Sequence, residues 1–245
     1  MAQLGQAFRI DKKGAIDLVT EVDLAVERMF RELIAQRFPD HQILAEEMGG
    51  AAAVPRGPCW VFDPIDGTTN YAHGVPIFCA SLALEIDGVP EVAAVYDPNR
   101  QELFTARARR RRVPERRPLR SQPPAISCDA LLVTGFPTTS HSRIDEIVGL
   151  FAAVRRRRRA RCGGSGSAAI DLCCVAAGRM DGFWEADLKP WDIAGGALIV
   201  AEAGGRVTDL GGSPFTSRGG HVLATNGHLH DAMLEVIHTF QNRRA

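Results

Sequence analysis

After Thr20 and Asp23, which make a capping-box-like start, the apolar positions Val22, Val26, Met29, Phe30 and Leu33 recur at helical spacing until Pro39 ends the run. The pattern predicts an amphipathic helix from about 20 to 37. Gln42 to Ala45, Trp60 to Phe62, Ser81 to Ile86 and Glu91 to Tyr96 are short apolar runs bounded by turn residues, as buried strands are. They follow one another mostly without helices between them, so a largely antiparallel sheet beside helices is expected for the first half. The second half alternates. Leu131 to Thr134 and Phe183 to Glu185 read as strands, Ser167 to Ala177 as a small-residue helix, and Ile193 to Ala203 as a helix closed by Gly204. Pro118, Pro123 and Pro124 interrupt any regular element and set an expected domain boundary near 120 to 130, dividing the chain into 1–125 and 126–245. No internal repeat is visible.

Composition narrows the class. With 245 residues, 45% hydrophobic and 24% charged, the chain has the balance of a globular protein with a real core. Lys+Arg and Asp+Glu each total 29, so net charge gives no general pull toward nucleic acid or membrane. No apolar stretch approaches a membrane span, and the first ten residues lack the basic-then-apolar layout of a signal peptide, so a cytoplasmic protein is expected. The six cysteines form no C-x-x-C pair and read as reduced core thiols.

The chemistry concentrates in Trp60-Val-Phe-Asp63-Pro64-Ile65-Asp66-Gly67-Thr68-Thr69-Asn70, a strand running into two acids and then a Gly-Thr-Thr-Asn turn. Pro64 holds Asp63 extended, and Gly67 and Thr68 fall where a helix begins, with free N–H groups suited to a phosphate. Glu46 and Glu47 end the preceding strand, and Asp192 opens a later helix in Trp191-Asp192-Ile-Ala-Gly-Gly196. Hard oxygen ligands without His or Cys favour Mg²⁺ or Mn²⁺. Converging carboxylates need cations to offset their repulsion, and a pair of ions about 3.5–4 Å apart is common in phosphoryl transfer.

The chain resembles the inositol monophosphatase family, within the lithium-sensitive, metal-dependent sugar phosphatases. The resemblance rests on Asp17-Leu-Val-Thr20-Glu-Val-Asp23, Glu46-Glu47, Asp63 to Asn70, and Trp191-Asp192-Ile-Ala-Gly with Glu202-Ala-Gly-Gly205 after it, in the family's order. It implies an α+β layered sandwich of alternating αβαβα layers, a homodimer, and hydrolysis of myo-inositol monophosphate or a related small phosphorylated polyol or sugar with two or three Mg²⁺ per site. The alternative substrates are fructose 1,6-bisphosphate, histidinol phosphate and 3′-phosphoadenosine 5′-phosphate. It further implies that Glu46, Asp63 and the carbonyl of Ile65 hold one metal, and that Asp63, Asp66 and Asp192 hold a second. Thr68, hydrogen-bonded to Asp23, orients and helps deprotonate the attacking water, and Glu47 supports the metal shell. Gly67, Thr68 and Thr69 bind the phosphate, and Glu185 contacts substrate hydroxyls. The first domain then carries most metal ligands, and the second supplies Asp192 and substrate contacts.

Simpler uses exist for single residues. Asp23 and Asp192 are ordinary helix-start acids, yet capping explains neither the second acid nor the Gly-Thr-Thr turn. A strand-end carboxylate such as Glu185 is often only solvated. Gly163-Gly-Ser-Gly-Ser167 lacks the ending of a P-loop and matches instead the family's Gly-Ser-Ala-Ala helix start over Gly166 to Ala169. Arg107, Arg109 to Arg112, Arg116 and Arg117 stand where the family usually has a Gly-rich strand and turn, and four adjacent arginines fit poorly in a sheet. With the second run, Arg155 to Arg159 and Arg161, they form a solvated face or a subunit edge, or they serve an RNA-associated binding protein, the alternative of another class. Aromatic residues that would stack on bases are not interleaved with them.

Overall fold

A computed structural model describes residues 10–12, 18–50, 56–108, 130–136, 143–158 and 161–243. β1 (Ile10–Lys12) pairs antiparallel with β2 (Leu18–Thr20), and Thr20 then caps α1 (Glu21–Arg37). The capping box forms as expected: Asp23 N donates to Thr20 Oγ1 at 3.3 Å, and Thr20 N donates to Asp23 Oδ2 at 2.9 Å. Two amides left over at the helix start are thereby satisfied.

The first sheet contains β3 (Gln42–Ala45), β4 (Gly49–Gly50), β5 (Pro58–Asp66), β6 (Cys79–Ile86), β7 (Val89–Asp97) and β8 (Glu102–Arg107) in the order β4-β3-β5-β6-β7-β8, with α2 (Thr68–Ala72) between β5 and β6. Its ladders are antiparallel except β3 with β5, which is parallel. The second sheet takes β9 (Leu131–Thr134), β10 (Arg161–Gly163), β11 (Gly182–Glu185), β12 (Arg206–Thr208) and β13 (Val222–Thr225) in the order β10-β9-β11-β13-β12. The helices of this half are α3 (Ile144–Arg158), α4 (Ala168–Ala176), α5 (Pro190–Glu202) and α6 (His230–Asn242).

Layers follow from which faces are apolar. On the outer face of the first sheet, Phe30 of α1 stacks on Phe62 at 4.2 Å and meets Trp60 edge-on at 6.3 Å. Helices α4 and α5 lie between the sheets. They pack Ala169, Ile170, Cys173, Leu198 and Ile199 against Cys79, Ala93 and Val95 on one side, and Leu172, Val175, Ile193 and Val200 against Val133, Phe183, Val222 and Ala224 on the other. Helices α3 and α6 cover the far face of the second sheet through Leu150, Val154, Met233, Val236 and Ile237. The result is the expected αβαβα sandwich. Contact between α5 and β6 is close enough that a Cβ on Gly195 would lie 3.1 Å from the Leu82 carbonyl oxygen and 3.2 Å from Ser81 Oγ.

Several elements differ from expectation. Helix α5 starts at Pro190 rather than Ile193, because Pro at the first helical position needs no N–H partner; Asp192 is thus inside the first turn. Strands β1, β2, β4, β8, β10, β12 and β13 and helices α3 and α6 were not expected from the sequence. Strand β8 continues to Arg107, which pairs with Val92, while Arg109 to Arg112, Arg116, Arg117 and the expected boundary near 120 to 130 lie outside the described residues. In the second run, Arg155, Arg156 and Arg157 are exposed in the last turns of α3, where cations meet the negative helix end, and Arg157 pairs with Glu235. Among the described residues, no helix is long and apolar enough to cross a membrane.

Candidate active site

Two carboxylates three residues apart on a regular strand point to opposite faces. Strand β5 avoids this with a bulge: Asp63 pairs with Ser81 but Asp66 pairs with Cys79, so the interval holds one more residue on β5 than on β6. Pro64, which has no N–H to give the ladder, sits in the irregular stretch. Because Ser81 and Cys79 share the β6 face that meets the helix layer, both aspartates reach that face. Asp192 comes from the first turn of α5, which Ser81 ties to β6 by donating to the Trp191 carbonyl at 3.2 Å. Carboxylate oxygens of Asp63, Asp66 and Asp192 lie within 4.8 Å of one another.

Neutral donors orient each acid. Asp63 Oδ1 accepts from Ile65 N at 2.9 Å, and Asp192 Oδ2 accepts from Lys189 N at 2.7 Å. Asp66 Oδ2 accepts from Ser167 Oγ at 2.6 Å and Ala169 N at 2.7 Å, both at the start of α4, with Cys79 Sγ 3.8 Å away. None of these donors removes the charge repulsion. Burial first, then Glu46, Asp66 and Asp192, push the Asp63 carboxyl well above its ordinary range. Burial and Asp66 do the same to Asp192, and burial raises Asp66 to about 6 although its hydrogen bonds act in the opposite direction.

Glu185, at the end of β11, is buried, and burial with Asp192, Asp66 and Asp171 raises its carboxyl well above the usual value. It packs so closely on the chain that a Cβ on Gly135 would fall 2.2 Å from Oε2. Glu46, just past β3, anchors its amide on the Phe62 carbonyl at 3.3 Å and acts on Asp63 both as a charge and as a hydrogen-bond partner. A set of buried and half-buried carboxylates that repel one another and contain no His fits a hard divalent cation.

The turn after Asp66 is fixed by shape. Gly67 has φ +98°, and a Cβ there would approach the Ile77 carbonyl oxygen to 3.0 Å. Thr68 Oγ1 donates to the Ile65 carbonyl at 3.0 Å, and Thr69 is exposed. Asp23 is fully buried, accepts from Thr20 Oγ1 at 2.5 Å, and adds to burial in raising the Tyr71 phenol on α2, which sets its carboxylate against the helix of Thr68. Three contributors were given no role of their own by the sequence, although Ser167 and Asn70 lie within its motifs. Ser167 is one. Asn70 is another, its Nδ2 donating to the carbonyls of Ile77 and Ser165, each at 2.8 Å, which clips the Gly-rich loop to the α2 turn. Glu27 is the third, accepting from Glu47 N at 2.8 Å and Met48 N at 3.0 Å. A Ser before an Ala-rich helix was the available signal for Ser167, and the place at the end of the Gly-Thr-Thr-Asn turn was that for Asn70; Glu27 carries none.

A layered fold with carboxylates gathered where the first sheet meets α4 and α5 defines a metal-dependent phosphomonoester hydrolase. The chain belongs to the inositol monophosphatase family, whose model matches residues 1–242. It is 43% identical to the inositol-1-monophosphatase of Synechocystis over 95% of this chain and 81% of that one. It is 39% identical to Nus factor SuhB of Pasteurella multocida over 94% of this chain and 84% of that one. The solved inositol monophosphatase of Anabaena superposes with a TM-score of 0.80 at 40% identity, covering 89% of this chain and 86% of that one.

Proposed function

We propose that this chain hydrolyses a small phosphorylated polyol, with myo-inositol monophosphate the favoured substrate, in a Mg²⁺-dependent and lithium-sensitive reaction. The observation that carries the reading is the carboxylate cluster of Asp63, Asp66 and Asp192 with Glu185 buried beside it. Glu46, Asp63, Asp66, Asp192 and the Ile65 carbonyl are the groups that would hold the ions. When bound, divalent cations there supply a deprotonated water near neutral pH and offset charge on the phosphoryl oxygens. The protein's own part is orientation. Amides of Gly67 and Thr68 hold the phosphate, Thr68 and Asp23 position the attacking water, and Glu47 steadies the Glu46 turn. Glu185, a buried carboxylate and hence a strong acceptor, takes hydroxyl donors of the leaving group. A polyol satisfies such an acceptor. In this reading 1–125 supplies most ligands and 126–245 supplies Asp192 and Glu185.

A panel of phosphomonoesters assayed with Mg²⁺ and with EDTA tests the proposal. Release from inositol monophosphate that requires Mg²⁺ and exceeds release from fructose 1,6-bisphosphate, histidinol phosphate and 3′-phosphoadenosine 5′-phosphate supports it. Equal rates in EDTA, or a preference for another ester, would overturn the metal or the substrate assignment respectively.

A further inference from the structure

Glu27 has no solvent exposure and no part in the cluster, yet it is a carboxylate with one cation beside it. Burying such a group is unfavourable unless its lone pairs are filled. They are filled by one short segment. Oε2 accepts from Glu47 N at 2.8 Å, and Oε1 accepts from Met48 N at 3.0 Å and from Arg31 Nε at 2.8 Å. Arg31 in turn donates through Nη2 to the Gly49 carbonyl at 2.5 Å. Residues one helical turn apart on α1 therefore grip three consecutive residues, 47 and 48 in the turn joining β3 to β4 and Gly49 at the start of β4. Glu46 is the residue before that grip, and its own amide is tied to Phe62 on β5.

We infer that Glu27 and Arg31 are positioning residues that set Glu46 against Asp63 and so tune cation affinity. A carboxylate ligand on a free turn would have to be ordered by the ion, and the cost would appear as weaker binding; held from both sides, Glu46 is ordered beforehand. Groups that support metal ligands in this way alter affinity by about 10–100-fold when changed. The inference rests on the reading of Glu46 as a cation ligand.

The test uses Mg²⁺ alone, without substrate, in calorimetric titrations of the wild-type protein, Glu27→Gln, Arg31→Leu and Glu46→Gln, with circular dichroism to verify folding. Glu27→Gln keeps the size but presents an amide N–H₂ to donors. Its Kd for Mg²⁺ should rise by about 10-fold or more. The half-saturating Mg²⁺ in turnover should rise in step, with added Mg²⁺ restoring most of the rate. A purely structural role would lower stability and kcat together and leave the Mg²⁺ dependence in place. Arg31→Leu, at a partly exposed position, should move Kd the same way. Because coupling is reciprocal, Mg²⁺ added to the wild-type protein should slow hydrogen exchange at the Glu47 and Met48 amides, a measurement that needs no variant. Folded variants that bind Mg²⁺ like the wild type, or amides whose exchange ignores Mg²⁺, would overturn the clamp. A wild-type protein that binds no Mg²⁺ would instead sink the cation reading, and the clamp with it.

Discussion

Removing divalent metal should expose a carboxylate share of stability that is lost as pH rises from about 4 to about 6, a direction opposite to ordinary acid denaturation and to the share that His230 contributes over the same interval. Asp66 has a folded pKa of about 6 against an ordinary 3.8. Below pH 4 both folded and unfolded chains hold its proton. Between the two values the unfolded chain has lost it while the folded chain retains it. The folded state then binds more protons, so the Asp66 share of stability falls with pH until about 6 and is level beyond. The displacement of about two pH units corresponds to about 3 kcal/mol, or roughly 6–12 °C in Tm for a chain of this size. Asp63, Asp192 and Glu185 are raised in the same direction and add to the slope. On the proposed reading Mg²⁺ would bind the ionised acids, so at 100 times its Kd it should return about 2.7 kcal/mol at pH 7 and much less at pH 4.5. Calorimetry in EDTA and in Mg²⁺ across this range measures both effects, and Asp66→Asn isolates the Asp66 share as a difference in slope. A slope unchanged by Asp66→Asn, or a Mg²⁺ stabilisation equal at both pH values, would refute the argument that shared repulsion is stored in the metal-free site.

Thr68→Ala and Asp23→Asn should each lower kcat by about 10²-fold if they position one water, and the double variant should be little worse than either in steady-state assays; fully multiplicative losses would place the activation elsewhere. Ser167→Ala removes both the 2.6 Å bond to Asp66 and the cap on Ile170 N, so it should cost about 1–2 kcal/mol in denaturant melts and raise the Mg²⁺ needed for turnover, while Ser167→Thr should be tolerated. Gly195→Ala should cost about 1–3 kcal/mol and reduce activity, because the new methyl meets main chain of β6 and displaces α5 with Asp192. His230, buried between Thr208 and Thr225, has a pKa lowered to about 4 by burial first. The unfolded chain takes up its proton first as pH falls from 6.5 to 4, so about 3 kcal/mol of stability should be lost over that interval in urea titrations, and a His230→Asn variant should lack that share of the slope.

What could be read from the sequence was local. The Thr20–Asp23 capping box and α1 depend on residues three and four apart, and they appear within a residue of expectation. Strands β3, β6, β7 and β9 are apolar or alternating and were readable for the same reason. The motif from Asp63 to Asn70 named the acids, but its geometry did not follow from spacing, since a three-residue interval on a strand separates the carboxylates until the bulge brings them to one face. Ser167 and Asp66 are 101 residues apart, Asn70 and Ser165 are 95 apart, and Glu27 and Glu47 are 20 apart. Such contacts leave no local pattern. Helix α6 is a different case. Met233, Val236, Ile237 and Phe240 have helical spacing, but the helix begins at His230 after Leu229, an N-cap residue whose side chain makes no capping bond to announce it.

The supports of the cluster share one property that bears on function. Asp63, Asp66 and Asp192 each accept a main-chain amide, from Ile65, Ala169 and Lys189. An amide fixes a carboxylate's direction without supplying a positive charge, so the acids are aimed but remain mutually repulsive, as their raised pKa values record. An Arg or Lys in place of one amide would relieve the repulsion permanently and would compete with any cation for the same oxygens. The fold does place such cations elsewhere: Arg218 meets buried Glu85 at 2.5 Å, and Arg31 meets buried Glu27 at 2.8 Å. The difference between those paired acids and the aimed but unneutralised cluster supports the proposed reading of the cluster as a site for an exchangeable ion, because there the free energy of neutralisation remains available for binding.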